Sequence, residues 1–436
     1  MVLIYSYTTS SRLHYILSFI FKELMSIEFS ITTDLIEFEK YEGVKINYSS
    51  NENLNSEFKI QNNALLFESG INKLGIECFE INGYKAFFKT GNSDFPFDIF
   101  AACFYLLSRY EEYLPHEKDM YGRYAHENSL AFKEGFLQLP LISIWIKDFA
   151  NALKKKFPGF NFQFPVFNFI PTYDIDIAYS YKQKGFARNF GGILKSIFSL
   201  QLSAFAERLA VLAGKKKDPF DTFDWLDALH EKYKLNPLYF FLVAEKNSLY
   251  DKNILPDKKA IQKLIKQHAQ KYIIGIHPSW QSGDNFLLLK KEKKYLEAIL
   301  KKPIINSRQH YIRFNLPNGY RHLTDCGLLN DYSMGYGSIN GFRASVASSF
   351  YWYDLEKEEQ TTLRIHPFCY MEANSYYEQK LSTSEAYDEM IHYYNSCKEV
   401  NGSFICIWHN HSLGSDKRIY PRWNEVYKKF LIQFAE

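Results

Sequence analysis

The hydrophobic pattern of the chain changes near residue 160. Before that point, short apolar runs separated by Asn, Gly and Ser predict strands and turns, at LIYSY, VKINYS, ALLFES and INGYKAFFK. An amphipathic helix is expected after the first of these. Two longer segments carry apolar residues at helical spacing: FPFDIFAACFYLLSRYEEYL, which stops at Pro115, and PLISIWIKDFANALKKKF, whose last turn is basic. We therefore expect a small α/β domain over residues 1–160.

Beyond residue 160, strand-like apolar runs alternate with helical ones. Strands are predicted at FNFIPTYDID, NPLYFFLVAE, YIIGIHPS, NSRQHYIRF and FICIWHNHS. The segments between them, such as FDWLDALHEKYK and LKKEKKYLEAILKK, have helical periodicity. This alternation predicts parallel strands joined by crossover helices, in an open sheet or a barrel, over residues 161–436.

Polar side chains follow several of these predicted strands, in the segments TYDID, HPSW, RQH and WHNH. The carboxyl ends of parallel strands meet at one rim of a sheet or barrel, so we expect these segments to converge. Asp174 and Asp176 lie on one side of an extended chain, since strand side chains alternate. Two such carboxylates repel each other unless a cation or a positive side chain compensates them, or one has a raised pKa.

The histidines and the arginine at these strand ends could supply that compensation. His277 and Asp176 are of the ligand types that Zn²⁺ prefers. Arg308 and His310 share a face, and an Arg beside an Asp holds the carboxylate ionised. Taken singly, each segment also fits a plainer reading: a solvated turn, a structural histidine or a surface ion pair. His409 directly follows the apolar run FICIW, and it is the stronger candidate in WHNH.

Composition excludes some classes of protein. With 436 residues the chain is longer than a usual single domain, so two domains, or one large α/β domain with an appendage, are expected. A hydrophobic content of 46% is typical of a globular protein. A net charge of +3 gives no electrostatic footprint for nucleic acid. No window is apolar enough to span a bilayer, and six scattered cysteines fit reduced thiols, so a cytoplasmic location is expected. GxGxxG, P-loop and GxSxG motifs are absent from the sequence.

In chain order, these motifs resemble those of the polysaccharide deacetylase family, carbohydrate esterase family 4. PTYDID resembles its Thr-x-Asp-x-Asp motif, GIHPSW its second motif, SRQHYI its Arg motif and ICIWHN its Leu-Leu-His strand end. The likeness covers about residues 165–420. It implies a distorted (β/α)-barrel of the glycoside hydrolase/deacetylase type, and a metal-dependent hydrolase that removes N-acetyl groups from the sugars of a poly- or oligosaccharide.

The resemblance also implies roles for single residues. Asp174 would be the general base, oriented by Arg308, and His409 the general acid. Asp176 and His277 would bind a divalent metal, expected to be Zn²⁺.

The family has a second histidine four residues after the first, where this chain has Gln281. His310 is expected to complete the ligand set, with Gln281 as a weak ligand or a hydrogen-bonding group. The alternative is that the site no longer binds metal.

The segments HPSW, RQH, DYSMGY and GFRA of this chain resemble the HPSY-like, RQH-like, DYSMGY-like and GFRA-like segments of a bacterial subgroup of this family. Within these segments and beside the catalytic candidates, the expected substrate-binding residues are Trp280, Tyr336, Arg343 and Trp408. SRYEEYLP and GRYAHENS resemble a domain of unknown function found in front of such deacetylase modules. Two other functions remain open: a non-catalytic glycan-binding or scaffolding protein of a cell-surface polysaccharide pathway, and a metal-dependent hydrolase of another amide or a phosphoester.

Overall fold

A computed structural model of the chain describes residues 1–50, 54, 57–198, 200–416 and 418–434. The N-terminal part contains a parallel sheet of four strands in the order β2-β1-β3-β4 and an antiparallel β5-β6 hairpin. These strands are β1 Val2–Tyr5, β2 Phe29–Thr32, β3 Val44–Asn47, β4 Phe58–Lys59, β5 Phe79–Ile81 and β6 Tyr84–Ala86. The helices are α1 Ser11–Leu17, α2 Leu35–Lys40, α3 Ile99–Leu107, α4 Leu130–Lys133 and α5 Leu141–Lys156.

Local side-chain caps explain several helix starts in this part. Ser10 accepts a hydrogen bond from Leu13 N at the start of α1, and Asp98 accepts one from Ala101 N at the start of α3. The strand predicted at ALLFES is wrong: the segment forms a 3₁₀ turn, Ala64–Leu66, which Asn63 caps. The helix predicted to reach Pro115 ends at Leu107, because Arg109 adopts a left-handed conformation (φ 56°).

The C-terminal part contains a sheet of nine strands in the order β12-β13-β11-β10-β9-β8-β7-β15-β14. The strands are β7 Asn168–Ile175, β8 Leu238–Leu242, β9 Ile273–His277, β10 Asn306–Ser307, β11 Asn330–Asp331, β12 Phe350–Asp354, β13 Glu359–Ile365, β14 Tyr370–Met371 and β15 Ser403–His409. The helices are α6 Phe186–Phe198, α7 Leu202–Leu212, α8 Phe223–Tyr233, α9 Lys259–His268, α10 Phe286–Leu300, α11 Asn318–Asp325, α12 Thr383–Glu399 and α13 Trp423–Phe434. The pairings are parallel except that of β12 with β13.

The strand order of this sheet follows the chain. Starting from β14, the neighbouring strands are β15, β7, β8, β9, β10, β11 and β13. Each strand comes later in the chain than the one before it, except where β15, the last strand of the chain, pairs with β7, the first strand of this part. A (β/α)-barrel places consecutive strands side by side in this way. No hydrogen-bonded pairing among the described residues joins β12 or β13 to β14. The predicted α/β class is therefore confirmed, whereas the closed barrel stays a prediction.

The strand predicted at NSRQHYIRF is much shorter in the structure. β10 has two residues, and the chain then turns, with positive φ at Tyr311 (59°) and Ile312 (56°). The apolar alternation of the segment resembles a strand, but its second half is a turn at the rim of the sheet. His310 thus lies at the start of a strained turn and not within a strand.

The two parts share one hydrophobic core, and a buried ion-pair network joins them. Glu112, from the 3₁₀ turn after α3, accepts two hydrogen bonds from Arg343, 2.8 and 2.6 Å from Nε and Nη2. Arg109 also donates to Glu112, at 2.7 Å. Burial raises the pKa of the Glu112 carboxyl, but the charges of the two arginines outweigh it and lower the pKa to about 2. The boundary predicted at residue 160 falls between α5 and β7 and stays a prediction.

None of the helices in the described part of the chain is long and apolar enough to cross a membrane.

Replacement of Arg343 by Met should lower the free energy of unfolding by about 3 kcal/mol. The loss lies at the low end of the range for a broken buried pair because Arg109 still contacts Glu112. Chemical denaturation measures it. Arg422→Met removes an arginine from an exposed pair with Glu425 and should leave stability unchanged. Equal stability of the two variants would contradict a role for the network in joining the parts.

The same network predicts a pH dependence. A pKa of about 2 in the folded state, below the ordinary 4.5, means that the unfolded state binds the Glu112 proton first as the pH falls. The stability difference between wild type and Glu112→Gln should be constant above about pH 5 and shrink between about pH 4.5 and 2. Denaturation curves across this range measure it. A difference that widens on acidification would contradict the assignment.

A candidate metal centre at the strand ends

Strand register brings the acidic and basic candidates together. β7 carries Asp174 one residue before its end, and β15 pairs with it so that His409 lies opposite Asp174. On the other side of β7, the ladder to β8 begins at Thr172, so Pro171 interrupts no hydrogen bond there. His277 is the last residue of β9. The rule that parallel strands present their carboxyl ends at one rim therefore holds for this site.

Asp176 follows β7 directly and lies among three histidines. The distances from its carboxylate oxygens are 3.2 Å to His277 Nε2, 3.5 Å to His310 Nε2 and 3.5 Å to His409 Nε2. Asp176, His277 and His310 each offer one ligand atom, and these atoms lie within 4.8 Å of one another. The structure thus brings together the three residues that the sequence predicts as metal ligands.

The residues present fit a divalent ion. Two ligands of a tetrahedral Zn²⁺, each at about 2.1 Å, lie about 3.4 Å apart, which agrees with the spacings of Asp176 from His277 and His310. Oδ1 of Asp176 is buried and has no hydrogen-bond partner in the described part of the structure. A buried carboxylate oxygen without a partner is costly, and an ion bound there would remove that cost.

Each histidine is oriented by an acceptor at its other ring nitrogen. His277 Nδ1 lies 2.6 Å from the carbonyl oxygen of Arg308, which can only accept, so this nitrogen carries the proton. His310 Nδ1 lies 2.8 Å from Asp251 Oδ1, and His409 Nδ1 lies 2.7 Å from Glu372 Oε1. Nε2 of all three rings therefore faces the centre, as in metal sites whose outer partners fix the tautomer.

Charge shifts the pKa values of these groups. Burial opposes ionisation of Asp176, but the nearby charges of His310 and His409 outweigh it and hold the pKa well below 3.8. Burial lowers the pKa of His310 and His409, but their carboxylate neighbours raise it to about 9 and about 10, respectively. Without an ion, the centre therefore compensates its carboxylates with protonated imidazoles.

Asp174 is held by Arg308, whose Nη1 donates to Asp174 Oδ1 at 3.0 Å and to Thr172 Oγ1 at 2.6 Å. The guanidinium is also fixed by the Tyr332 carbonyl, at 3.0 Å, and lies 4.5 Å from the centre of the Phe240 ring. Both partners of this pair are buried. The ion pair holds the Asp174 carboxylate beside the centre, with Oδ2 3.8 Å from His277 Nε2.

Gln281 does not reach the centre. It lies in the 3₁₀ turn Trp280–Asp284, where its side chain is exposed. The expectation that it serves as a weak ligand is therefore corrected. His310 enters from the next strand along the sheet, because β10 pairs with β9 at Ser307 and Ile276.

Three of the expected substrate-binding residues lie in the core and not at the cavity. Trp408 alternates with His409 on β15, so its ring points to the other side and packs on Trp423 and Tyr427. Arg343 is held by Glu112, and Tyr336 is buried beside Arg109. The expectation that these three side chains contact substrate is corrected. Trp280 is half-buried and is not among the residues that line the cavity, but its ring centre lies 4.6 Å from that of Tyr250, which does line it.

A cavity of about 590 Å³ opens over the centre. Both aspartates and the three histidines line it, together with His411 and several tyrosines. Two functional candidates, Asp251 and Glu372, were missed by sequence reasoning. Glu372 directly follows β14, so the strand-end rule applied to CYMEA would have found it. Asp251 lies in the loop after β8, where no sequence signal marks it.

Comparison with known proteins gives limited matches. Residues 2–158 match a family of unknown function (DUF7033). No curated protein matches the chain. Similar solved structures include a "putative polysaccharide deacetylase" from Mycobacterium smegmatis, with 11% identity, a TM-score of 0.39 and coverage of 62% of this chain and 84% of that one. The polysaccharide deacetylase Bc1974 from Bacillus cereus has 9% identity, a TM-score of 0.28 and coverage of 61% and 88%.

The proposed ligand set predicts that substitutions of His310 and Gln281 affect Zn²⁺ affinity differently. His310→Ala should weaken Zn²⁺ binding by at least about 100-fold, because it removes one of three protein ligands. Gln281→Ala should leave the affinity unchanged. Competition titration with a chromogenic chelator measures both. Equal affinities in the two variants would contradict the ligand set.

Proposed function

We propose that the protein is a metal-dependent hydrolase that removes N-acetyl groups from the sugars of a poly- or oligosaccharide. One observation carries the proposal: three imidazoles direct Nε2 at Asp176, while Asp174, paired with Arg308, lies beside the same centre. This arrangement combines a set of metal ligands with a separate carboxylate. Hydrolysis of an amide needs both an electrophile and a base.

Asp176, His277 and His310 would hold the ion. When bound, the ion would supply Lewis-acid polarisation of the acetyl carbonyl. Asp174 would accept a proton from the attacking water as its oxygen adds to the carbonyl carbon. Arg308 would hold Asp174 in position for that transfer.

His409 ends β15, which lies on the opposite side of β7 from β10, and it would act as the acid. Burial lowers the pKa of His409, but the Glu372 carboxylate, which also fixes the ring through Nδ1, raises it above the ordinary 6.5 and so favours the protonated ring. As the C–N bond breaks, the leaving nitrogen would take the proton from His409. The products are acetate and a free amino sugar, and Asp174 and His409 must exchange a proton to begin again.

An N-acetylated saccharide is the proposed substrate on two grounds. The cavity is lined by tyrosines as well as by the charged centre, and recognition of a sugar uses both apolar ring faces and polar groups. The resemblance of the strand-end motifs points to the same substrate class. The cytoplasmic location stays a prediction; all six cysteines are free thiols in the structure.

Release of acetate from N-acetylglucosamine oligomers tests the proposal. Asp174→Asn should lower kcat by about 10²–10⁴-fold, because it removes the proton acceptor, while Zn²⁺ content stays at the wild-type level. Metal analysis of each purified variant makes that comparison. His14→Gln changes an exposed histidine of α1 and should retain full activity.

The alternative of a non-catalytic glycan-binding protein makes the opposite prediction. Saccharide binding that survives EDTA, with no acetate released by the Zn²⁺-loaded protein, would replace the hydrolase by that alternative. Loss of acetate release on EDTA treatment and its return on addition of Zn²⁺ would support the hydrolase.

A further inference from the structure

The wall of the cavity beside His310 is built partly by the N-terminal part of the chain. Tyr121 and Arg123 line the cavity with Tyr250 and Tyr311, which belong to the C-terminal part. Both N-terminal residues lie in the region that matches the family of unknown function. The mechanism proposed above uses none of these four side chains.

The three tyrosines form one aromatic cluster, which we call the tyrosine wall: Tyr121, Tyr250 and Tyr311. The distances between ring centres are 5.1 Å for Tyr121 and Tyr311, 5.9 Å for Tyr121 and Tyr250, and 5.4 Å for Tyr250 and Tyr311. Each ring is half-buried, so each has surface left for a ligand in the cavity. A tyrosine ring offers an apolar face together with a hydroxyl group.

The tyrosine wall is continuous with the candidate metal centre. The ring centre of Tyr311 lies 4.7 Å from that of His310, and the His310 ring lies 4.9 Å from that of His277. When one group of a ligand lies at the metal centre, the next part of the same ligand therefore lies beside the three tyrosines.

The backbone that carries Tyr311 is strained and is held by the N-terminal part. Tyr311 and Ile312 both have positive φ, which is unfavourable for side chains of their size. Arg123 Nη1 donates to the Tyr311 carbonyl oxygen at 3.0 Å. Strain of this kind persists only where the surroundings impose it, and it is concentrated at functional sites.

Arg123 is itself fixed. Its Nε donates to Asp119 Oδ2 at 2.6 Å, and Asp119 Oδ1 accepts from Tyr121 N at 2.9 Å and from Arg123 N at 3.0 Å. A Cβ at Gly337 would lie 2.0 Å from Arg123 Nη1, so a side chain at this position would displace the guanidinium. Loop 119–123 is thus preorganised, which lowers the entropic cost of binding a ligand.

We propose that the tyrosine wall is a subsite for a pyranose ring of the glycan, with Tyr121 contributed by the N-terminal part and Arg123 positioning Tyr311. The ring bound there is a neighbour of the sugar at the metal centre. The inference rests on the proposed function for its ligand class, N-acetylated saccharide. It assigns to the N-terminal part a direct role in substrate binding.

Variants of Tyr121 test the subsite. Tyr121→Ala should weaken binding of N-acetylglucosamine tetramer about three- to tenfold and raise KM for acetate release to the same extent, with kcat retained. Tyr121→Phe keeps the ring face and should bind like wild type. Tyr7→Ala removes an exposed tyrosine of the N-terminal part, outside the cavity lining, and should change nothing. Calorimetry measures the binding, and Zn²⁺ content together with circular dichroism verifies the fold of each variant.

Calorimetry and the acetate assay separate the two proposals. Tetramer binding that depends on Tyr121, without acetate release, would overturn the hydrolase and support the subsite. Acetate release with the same KM in Tyr121→Ala and wild type would overturn the subsite alone. Absence of tetramer binding to the wild-type protein at millimolar concentration would overturn the subsite as well.

Discussion

The arrangement around the cavity depends on one buried negative charge, the carboxylate of Asp176. A carboxylate removed from water is costly unless positive charge or hydrogen bonds compensate it. Three imidazoles surround this one, and one of its oxygens still has no hydrogen-bond partner in the described structure. A divalent ion held by Asp176, His277 and His310 would satisfy that oxygen, and proton loss from the imidazoles would accompany its binding. The positive charge that compensates this carboxylate would come from protonated imidazoles without an ion, or from a metal when one is bound.

A second layer of carboxylates makes this geometry specific. Asp251 fixes His310 and Glu372 fixes His409, each through Nδ1, while a main-chain carbonyl fixes His277. Asp251 lies in the loop after β8, and the Arg308 carbonyl and Glu372 lie at the ends of β10 and β14. The ends of β7, β9 and β15 carry the residues of the centre itself, so six neighbouring strands contribute to it. Such outer contacts set the tautomer of each ring and raise its basicity as a ligand. The parallel sheet places the imidazoles at one rim, and the groups that contact Nδ1 orient the rings.

Much of this could be predicted from the sequence, because apolar strands that end in Asp, His or Arg follow a rule of parallel sheets. The rule located both aspartates, Arg308 and the three histidines. The rule failed for Trp408. Side chains alternate along β15, so His409 points towards the cavity and Trp408 points to the opposite face of the sheet. The turn at Tyr311 and the partnership of Arg343 with Glu112 depend on contacts between residues far apart in the chain, which periodicity does not encode. Asp251 was missed for the same reason.

The N-terminal part is packed into the same core and reaches the cavity through loop 119–123, so the candidate site belongs to the whole chain and not to its C-terminal part alone. X-ray absorption at the zinc edge of the Zn²⁺-loaded protein tests most directly whether Asp176, His277 and His310 hold the ion. We predict two imidazole nitrogens and a carboxylate oxygen at about 2.0–2.2 Å. A first shell without imidazole scattering, or a purified protein that takes up no Zn²⁺, would contradict it.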